Sequence, residues 1–312
     1  MLNTGAKTNN ISSHINRVPD VKIVSYNIHY AIGKDDRYDL ERIVEAVRDA
    51  DIIALQEVER HYDSRQSPSQ PEDIAAMLPR HYWVYDAAFD VDCSSRREDG
   101  SIDNRRRQHG QMLLSRWPIL GKRYFPLPRV RVDDEFNMQM GVLEGVVETP
   151  LGALRIYNLH FGSVSAAERQ LQAAFMLDLL RDSPASGGAW TGPNGEFAER
   201  DWCAGAGEPP MPEEAILLGD FNLSPGSLEY RLLCDARDAG GMPLLIDLWA
   251  KHNPGRDIMS WHSNRSKPGP PGRALLDYCL ATPKTAAQAV KCWIDETAAG
   301  SDHQPLWATF AE

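Results

Sequence analysis

Twice in this chain an apolar run ends on Tyr-Asn-aliphatic-His-aromatic, as YNIHY at residues 26–30 and YNLHF at 157–161. Asparagine and histidine are costly to bury without partners, so strands that end on them are expected to emerge at a polar rim. Each pattern is followed by an amphipathic helix and then by an apolar run with acid at its end, DIIALQEV from 51 and AILLGDF from 215. In the first helix Leu40, Ile43, Val44 and Val47 recur at i, i+3, i+4 and i+7 behind an Asp39 cap. The second opens on Ser165-Ala-Ala-Glu168, a capping-box spacing, with Leu171, Ala174 and Phe175 on one face. The two units, whose asparagines Asn27 and Asn158 stand 131 residues apart, read as a weak internal duplication. Period-two alternation puts Asn27 with His29, and Asn158 with His160, on common faces near the carboxyl ends of their strands, so that two strand ends could share one rim.

Further short runs rich in β-branched residues start at 110, 141, 274, 289 and 305, bounded by turn signals. Strands outnumber helices and alternate with them only at the start of each half, which predicts an α/β (α+β) sandwich of two mixed β-sheets with helices outside. The Gly/Pro-rich stretch 183–213, with Trp190 and Trp202, reads as an insertion, and HSNRSKPGPPGR from 262 as a second irregular segment. Neither shifts composition enough to divide the chain, so 21–312 is expected to be one domain behind a flexible leader, 1–20. The five cysteines scatter without a C-x-x-C pair, which argues against a disulfide framework or a thiolate zinc site and for a reducing, cytoplasmic setting. No apolar run approaches the roughly 18 residues of a membrane span, so stable membrane insertion is not expected.

The sharpest chemical signal is LLGDFNLSPGS, from 217, where an apolar strand runs into Gly219 before Asp220 and Asn222. Glycine frees the backbone to turn, and the pair supplies an acceptor and an amide two residues apart. Glu57 follows a core-like strand, where a hard cation would find an oxygen ligand on a rigid element. Asp277 sits between Leu276 and Tyr278 and needs a partner; His303, just before the last apolar run, would make with it a dyad able to take a proton from water.

In this order Asn27, Glu57, Asn158-x-His160, Gly219-Asp220-Phe221-Asn222, Asp277-Tyr278 and Ser301-Asp302-His303 resemble the endonuclease/exonuclease/phosphatase superfamily, with its deoxyribonuclease-I-like fold, from about residue 21 to 310. HGQMLLSRWPI, from 109, matches the family's intervening strand, and the opening is similar to that of small bacterial metal-dependent hydrolases. The resemblance implies a four-layer αββα sandwich that cleaves phosphate esters with magnesium, by direct attack of water. It implies Glu57 as main metal ligand, assisted by Asn27 and Asp302, and Asp277 and His303 as orienting carboxylate and phosphate-facing histidine. Asp220 matches the acid or base, Asn222 a transition-state donor, and Asn158 with His160 further phosphate-side donors. Which group deprotonates water is left open. The oxygen-rich ligands and the absence of clustered Cys and His favour Mg, or Mn, over zinc. One departure stands out: many relatives carry a basic residue two positions before the aspartate of the DY motif, where this chain has Leu275, and Arg273 is the nearest substitute. His29 and His109 read as buried, hydrogen-bonded histidines, and Arg116 as packing or pairing near the rim or touching phosphate.

SSRREDGSIDNRRRQHG, from 94, holds five arginines against three acids and is expected to be a solvated loop, with Arg105, Arg106 or Arg107 as a bolder phosphate contact. Lys plus Arg total 33 against 44 Asp plus Glu, a formal charge of -11, which tilts the substrate from nucleic acid toward a lipid head group or small phosphodiester. A nuclease of the same fold and a non-catalytic metal-binding or interaction module are the alternatives. No protein partner is inferable.

Overall fold

The computed structural model describes residues 20–62, 66–192, 203, 205–256, 259–263 and 272–311. The expected leader, Trp202 and most of the 262–273 segment therefore lie outside the described residues. In the first half the strands are β1 (Val21–Asn27), β2 (Ile52–Arg60), β3 (Tyr82–Asp92), β4 (Ser95–Arg96), β5 (Ile102–Asp103), β6 (Arg106–Ser115), β7 (Ile119–Pro126) and β8 (Gly141–Thr149). They continue as β9 (Gly152–His160), β10 (Ala215–Asp220), β11 (Ile246–Asp247), β12 (Trp261–His262), β13 (Arg273–Ala274), β14 (Asp277–Ala281), β15 (Ala289–Ile294) and β16 (Leu306–Phe310). The helices are α1 (Leu40–Val47), α2 (Gln70–Met77), α3 (Ala166–Ser186), α4 (Leu228–Cys234), α5 (Leu248–His252) and α6 (Pro283–Gln288). None of them is long and apolar enough to cross a membrane.

Two six-stranded mixed sheets carry the fold, in the orders β15-β16-β1-β2-β6-β3 and β11-β14-β10-β9-β8-β7. Read from its other edge, the second is β7-β8-β9-β10-β14-β11, with the same polarity as the first. In each sheet one parallel pair, β1 with β2 or β9 with β10, is flanked by antiparallel neighbours. The duplication seen in sequence is therefore a duplication of topology, and each parallel pair is joined through a helix, α1 or α3, because a parallel crossover needs a long connection. The sheets pack face to face, β1, β2 and β6 against β8, β9 and β10. On the outer face of the first, Val24, Ile53, Leu55, Met112 and Leu114 meet Ile43, Val44 and Val47 of α1 and Ile74 of α2. α3, α4 and α5 cover the other sheet, giving the four-layer αββα arrangement.

Asp39 caps α1 by accepting from Arg42 N–H at 3.0 Å, and Ser165 caps α3 through Glu168 N–H at 3.3 Å. The buried face of α3 is one residue away from the expected one: Leu171 is 51 % exposed, whereas Gln172, Ala173, Met176, Leu177 and Leu180 are buried. Polar side chains hid this face. Glu168 accepts from Val130 N–H at 2.7 Å, and Gln172 donates to Pro128 O at 3.0 Å and accepts from Gly162 N–H at 2.9 Å, so both are buried with partners. α3 also takes up the first residues of the expected 183–213 insertion.

Candidate active site

The inward faces of both sheets change character along their length, and they do so at the same end. In β1 the inward side chains run Val21, Ile23, Ser25, Asn27; register matches them with Ile52, Ala54, Gln56 of β2 and with Leu113, Gln111 of β6. In the facing sheet Ile156, Asn158, His160 of β9 lie beside Ile216, Leu218, Asp220 of β10 and Cys279, Asp277 of β14. One end of the interface is aliphatic, and the other is a buried polar rim.

Glu57 reaches this rim through a break in the pleat. Gln56 pairs with Gln111 and Val58 with Gly110, so Glu57 is an extra residue without an opposite number, and its φ of 60° lies in the left-handed region. A bulge of this kind re-aims a side chain at a cost of order 1–3 kcal/mol in backbone strain. It also resets alternation: Val58 turns outward into the α1 and α2 core, and Glu59 turns inward opposite His109. In β10 the corresponding device is Gly219, at φ 150°, where a Cβ would stand 1.9 Å from Leu159 O of the parallel neighbour.

Asn27 joins the two halves. Its amide donates to Glu57 Oε1 at 2.9 Å and to Asp220 Oδ2 at 3.0 Å, and its Oδ1 accepts from His29 N–H at 3.0 Å. Asp220 Oδ2 also lies 3.4 Å from His160 Nε2 and 3.5 Å from His303 Nε2, while its Oδ1 accepts from Asn222 N–H at 2.9 Å. His303 Nδ1 is 2.8 Å from Asp277 Oδ2, and Ser301 Oγ fixes the loop by donating to Asn27 O at 2.7 Å and accepting from His303 N–H at 3.1 Å. Glu57, Asn27, Asp220, His160, Asp277 and His303 thus form one contiguous cluster from five strands and the segment before β16.

Its electrostatics separate the two carboxylates. Burial would raise Glu57, but His109, His160 and His29 with the Asn27 amide outweigh it and hold the carboxyl down to about 2. Burial holds the His160 imidazole down to about 4, against the pull of Glu57, so it is neutral at pH 7. Asp220 is pushed upward by burial and by the charge of Asp277, although His303 and the Asn222 N–H oppose this. Burial would lower His303, but Asp277 and Asp220 outweigh it and raise it, so the imidazolium is its favoured form. The Asp277–His303 pair expected from sequence is present, with the imidazolium as the favoured form of its ring.

Several expected residues are placed elsewhere. Asn158 is fully buried and fully used: it accepts from Gln56 Nε2 at 2.7 Å and donates to Leu55 O and Met112 O, both at 2.9 Å, bolting one sheet to the other. It has no N–H left for a phosphate. His29 has left β1 for a 3-10 turn at φ 44°, with Nδ1 3.0 Å from Ile32 O, so it does not share the Asn27 strand face. Arg116 follows the far end of β6, where Ser115 pairs with Ile52; it lies 3.5 Å from Asp51, about 17 Å of strand from the rim. In the arginine-rich segment Arg105 pairs with Asp103 at 2.9 Å and Arg106 with Asp90 at 2.7 Å, so both are neutralised locally. Arg107 is on the inward face of β6, two residues beyond His109, with its guanidinium 5.4 Å from the Tyr62 ring centroid. Asn222, at φ 48°, donates to Phe161 O at 2.9 Å. Asp302 accepts from Trp261 Nε1 at 3.1 Å and lies 3.7 Å from His29 Nδ1.

The residues fit a divalent cation. Glu57 is ionised at the rim beside an amide, and one ligand atom each of Glu57, His109 and His160 lie within 4.8 Å of one another. The histidines that sequence left unclustered are thus brought together by the fold. In sequence His109 reads as a packed residue, because nothing local to it suggests a site; the signal is its position two residues before Gln111 on the strand that faces His160.

The profile of the Endonuclease/Exonuclease/phosphatase family matches residues 24–303. No curated protein matches the chain. Among solved structures, it is similar to an endonuclease/exonuclease/phosphatase from Beutenbergia cavernae at 20 % identity, covering 94 % of this chain and 71 % of that one with a TM-score of 0.61. A mannosyl-6-phosphatase of Bacteroides thetaiotaomicron is similar at 18 % identity, with 92 % and 98 % covered and a TM-score of 0.56. Truncated TDP2 of Caenorhabditis elegans gives 18 % identity, 94 % and 98 % coverage and a TM-score of 0.56. At these identities the likeness is one of fold.

Proposed function

Since the chain belongs to the endonuclease/exonuclease/phosphatase family, whose members are phosphoester hydrolases, we propose that it is a divalent-metal-dependent hydrolase of phosphate esters, with phosphodiesters as the preferred class. The observation that carries this reading is the convergence of His160, His303 and Asn27 on Asp220 Oδ2, one amide away from ionised Glu57. A magnesium or manganese ion held by Glu57 with Asn27, and with Asp302 alongside, would offset the charge that builds on the phosphoryl oxygens. The imidazolium of His303 donates from Nε2 to a non-bridging oxygen, and Asp277 keeps the ring oriented and charged. Asp220, with its raised proton affinity, accepts the proton of the attacking water. Neutral His160 and the Asn222 amide orient the phosphate, and Arg107 meets the part of the substrate that extends along β6. Residues 21–312 act as one domain, a reading supported by the core that runs unbroken through both sheets.

The acidic balance and the local neutralisation of Arg105 and Arg106 favour a compact ester, such as a lipid head group or small phosphodiester, over a long nucleic acid. Release of p-nitrophenol from bis-p-nitrophenyl phosphate with magnesium, with manganese and with chelator tests the reaction. Metal-dependent release that His303→Ala abolishes is expected. Absence of release on this ester and on phosphomonoesters, plasmid DNA and sphingomyelin would overturn the reading in favour of a non-catalytic module.

A further inference from the structure

We propose that Glu57, His109 and His160 form a nitrogen-rich metal seat that takes a transition-metal dication, of the Mn2+, Co2+ or Zn2+ kind, in preference to Mg2+. The proposal shares Glu57 and His160 with the hydrolase reading and otherwise stands on its own observations. The first is convergence: the three ligand atoms lie within 4.8 Å of one another. Around a tetrahedral ion with bonds of about 2.1 Å such atoms stand about 3.4 Å apart, so closure asks only for small side-chain adjustments.

The second is a buried nitrogen with nothing to bond: His109 is 7 % exposed and its Nε2 has no hydrogen-bond partner among the described residues, while the His160 nitrogen that faces Glu57 Oε1, at 4.0 Å, is Nε2. An unpartnered polar atom in a buried site costs about 1–3 kcal/mol, and a neutral imidazole nitrogen is a good ligand for a borderline metal. The third is orientation. His109 Nδ1 lies 3.4 Å from Glu59 Oε1, so Nδ1–H donates to the carboxylate and Nε2 is left with its lone pair. That is the carboxylate–histidine arrangement that fixes the tautomer and raises the basicity of a metal-bound ring. Glu59 faces inward only because the Glu57 bulge shifts the register, so one backbone irregularity sets both the oxygen ligand and the group behind the nitrogen ligand. Two imidazoles and a carboxylate suit a transition metal, whereas Mg2+ takes oxygen and water.

The experiment is a titration of the metal-free full-length protein with Co2+, followed by its visible d–d absorption, and with Mg2+ and Zn2+ by calorimetry. Wild type should bind one Co2+ with intense low-coordinate bands that Zn2+ displaces, and far more tightly than Mg2+. His109→Gln should lose the bands and at least about a hundredfold in Co2+ affinity. Glu59→Gln should lose about ten- to a hundredfold. Mg2+ affinity should change less than threefold in both. Co2+ affinity unchanged in a His109→Gln protein with wild-type circular dichroism and melting would overturn the proposal, as would wild type binding Co2+ no more tightly than Mg2+. If His109→Gln fails to fold, the wild-type metal preference and Glu59→Gln decide. Since binding rather than turnover is read, a chain inactive on every ester could still pass, and an active one could still fail.

Discussion

The units β1–α1–β2 and β9–α3–β10 have the same topology, and each brings one carboxylate to the rim, but by opposite means. The first forces Glu57 into a left-handed bulge, while the second lets Gly219 take the unusual backbone and leaves Asp220 on a regular ladder. Their surroundings then drive the two acids apart. Glu57 stands among His29, His109 and His160 and stays ionised, whereas Asp220 is buried beside Asp277 and holds a proton more readily than a free aspartate. Pairs of acids separated in this way divide their labour. In the proposed mechanism the fixed negative charge, suited to a cation, belongs to the first unit and the movable proton to the second.

Exchange of one acid at a time gives the largest test. Asp220→Asn keeps the shape and removes the proposed proton acceptor, so kcat should fall about a thousandfold, within the range for a general acid–base group, while metal affinity stays within threefold. Glu57→Gln should instead weaken metal binding about ten- to a hundredfold, with part of kcat restored at high metal. Calorimetric metal titration beside steady-state kinetics reads both. The opposite pattern, metal loss in the first variant and unrescued kcat loss in the second, would break the assignment.

The pH profile sharpens the same division. Asp220 must be ionised to accept a proton, and its affinity for protons is raised, so kcat should climb as pH rises well above the ordinary aspartate range. In the proposed mechanism His303 acts as the cation, and its proton affinity is also raised, so the rate should fall only well above the ordinary histidine range. Because the groups interact, the two limbs belong to the cluster as a whole. Asp277→Asn removes the charge that holds the imidazolium, and the alkaline limb should move to lower pH by at least one unit. An alkaline limb that stays in place would remove Asp277 from that role.

What sequence made legible was whatever obeys period two or repeats. The alternation in VKIVSYN and ALRIYNLH gives the inward face, and the repeated strand-helix-strand unit gives the parallel pairs at the centre of each sheet. Breaks in the period were not legible. Nothing in LQEVER marks Glu57 as a bulge, so the inward turn of Glu59 and its meeting with His109 stayed hidden. β3 was missed because YWVYDAAFDVD mixes apolar residues with acids, a composition that suits an exposed edge strand. The family resemblance makes Asn158 a phosphate-side donor, and a strand-end amide looks alike whether it faces substrate or an opposite sheet; only the first sheet, packed against β9, supplies Leu55 O and Met112 O.

Asn158 therefore gives a test of intermediate size, in stability rather than rate. Asn158→Ala leaves two carbonyls and the Gln56 amide short of partners in the dry interface and should cost about 1–3 kcal/mol in urea unfolding. KM in the folded variant should stay within twofold. A large KM rise with unchanged stability would return the residue to the substrate.

The smallest effects separate two arginines at opposite ends of β6. Arg107 shares the inward face with His109 and Gln111 on the rim side, and Arg116 sits beside Asp51 at the other end. A guanidinium that meets one exposed substrate charge contributes modestly, so Arg107→Ala should raise KM for a diester about three- to tenfold, an effect that salt reduces. Arg116→Ala should leave kcat and KM unchanged and cost no more than about 0.5 kcal/mol, because its ion pair with Asp51 is partly exposed and weakened by solvent. Equal KM changes in the two variants would mean that the field of the whole protein, and not a contact at the polar end, sets substrate affinity.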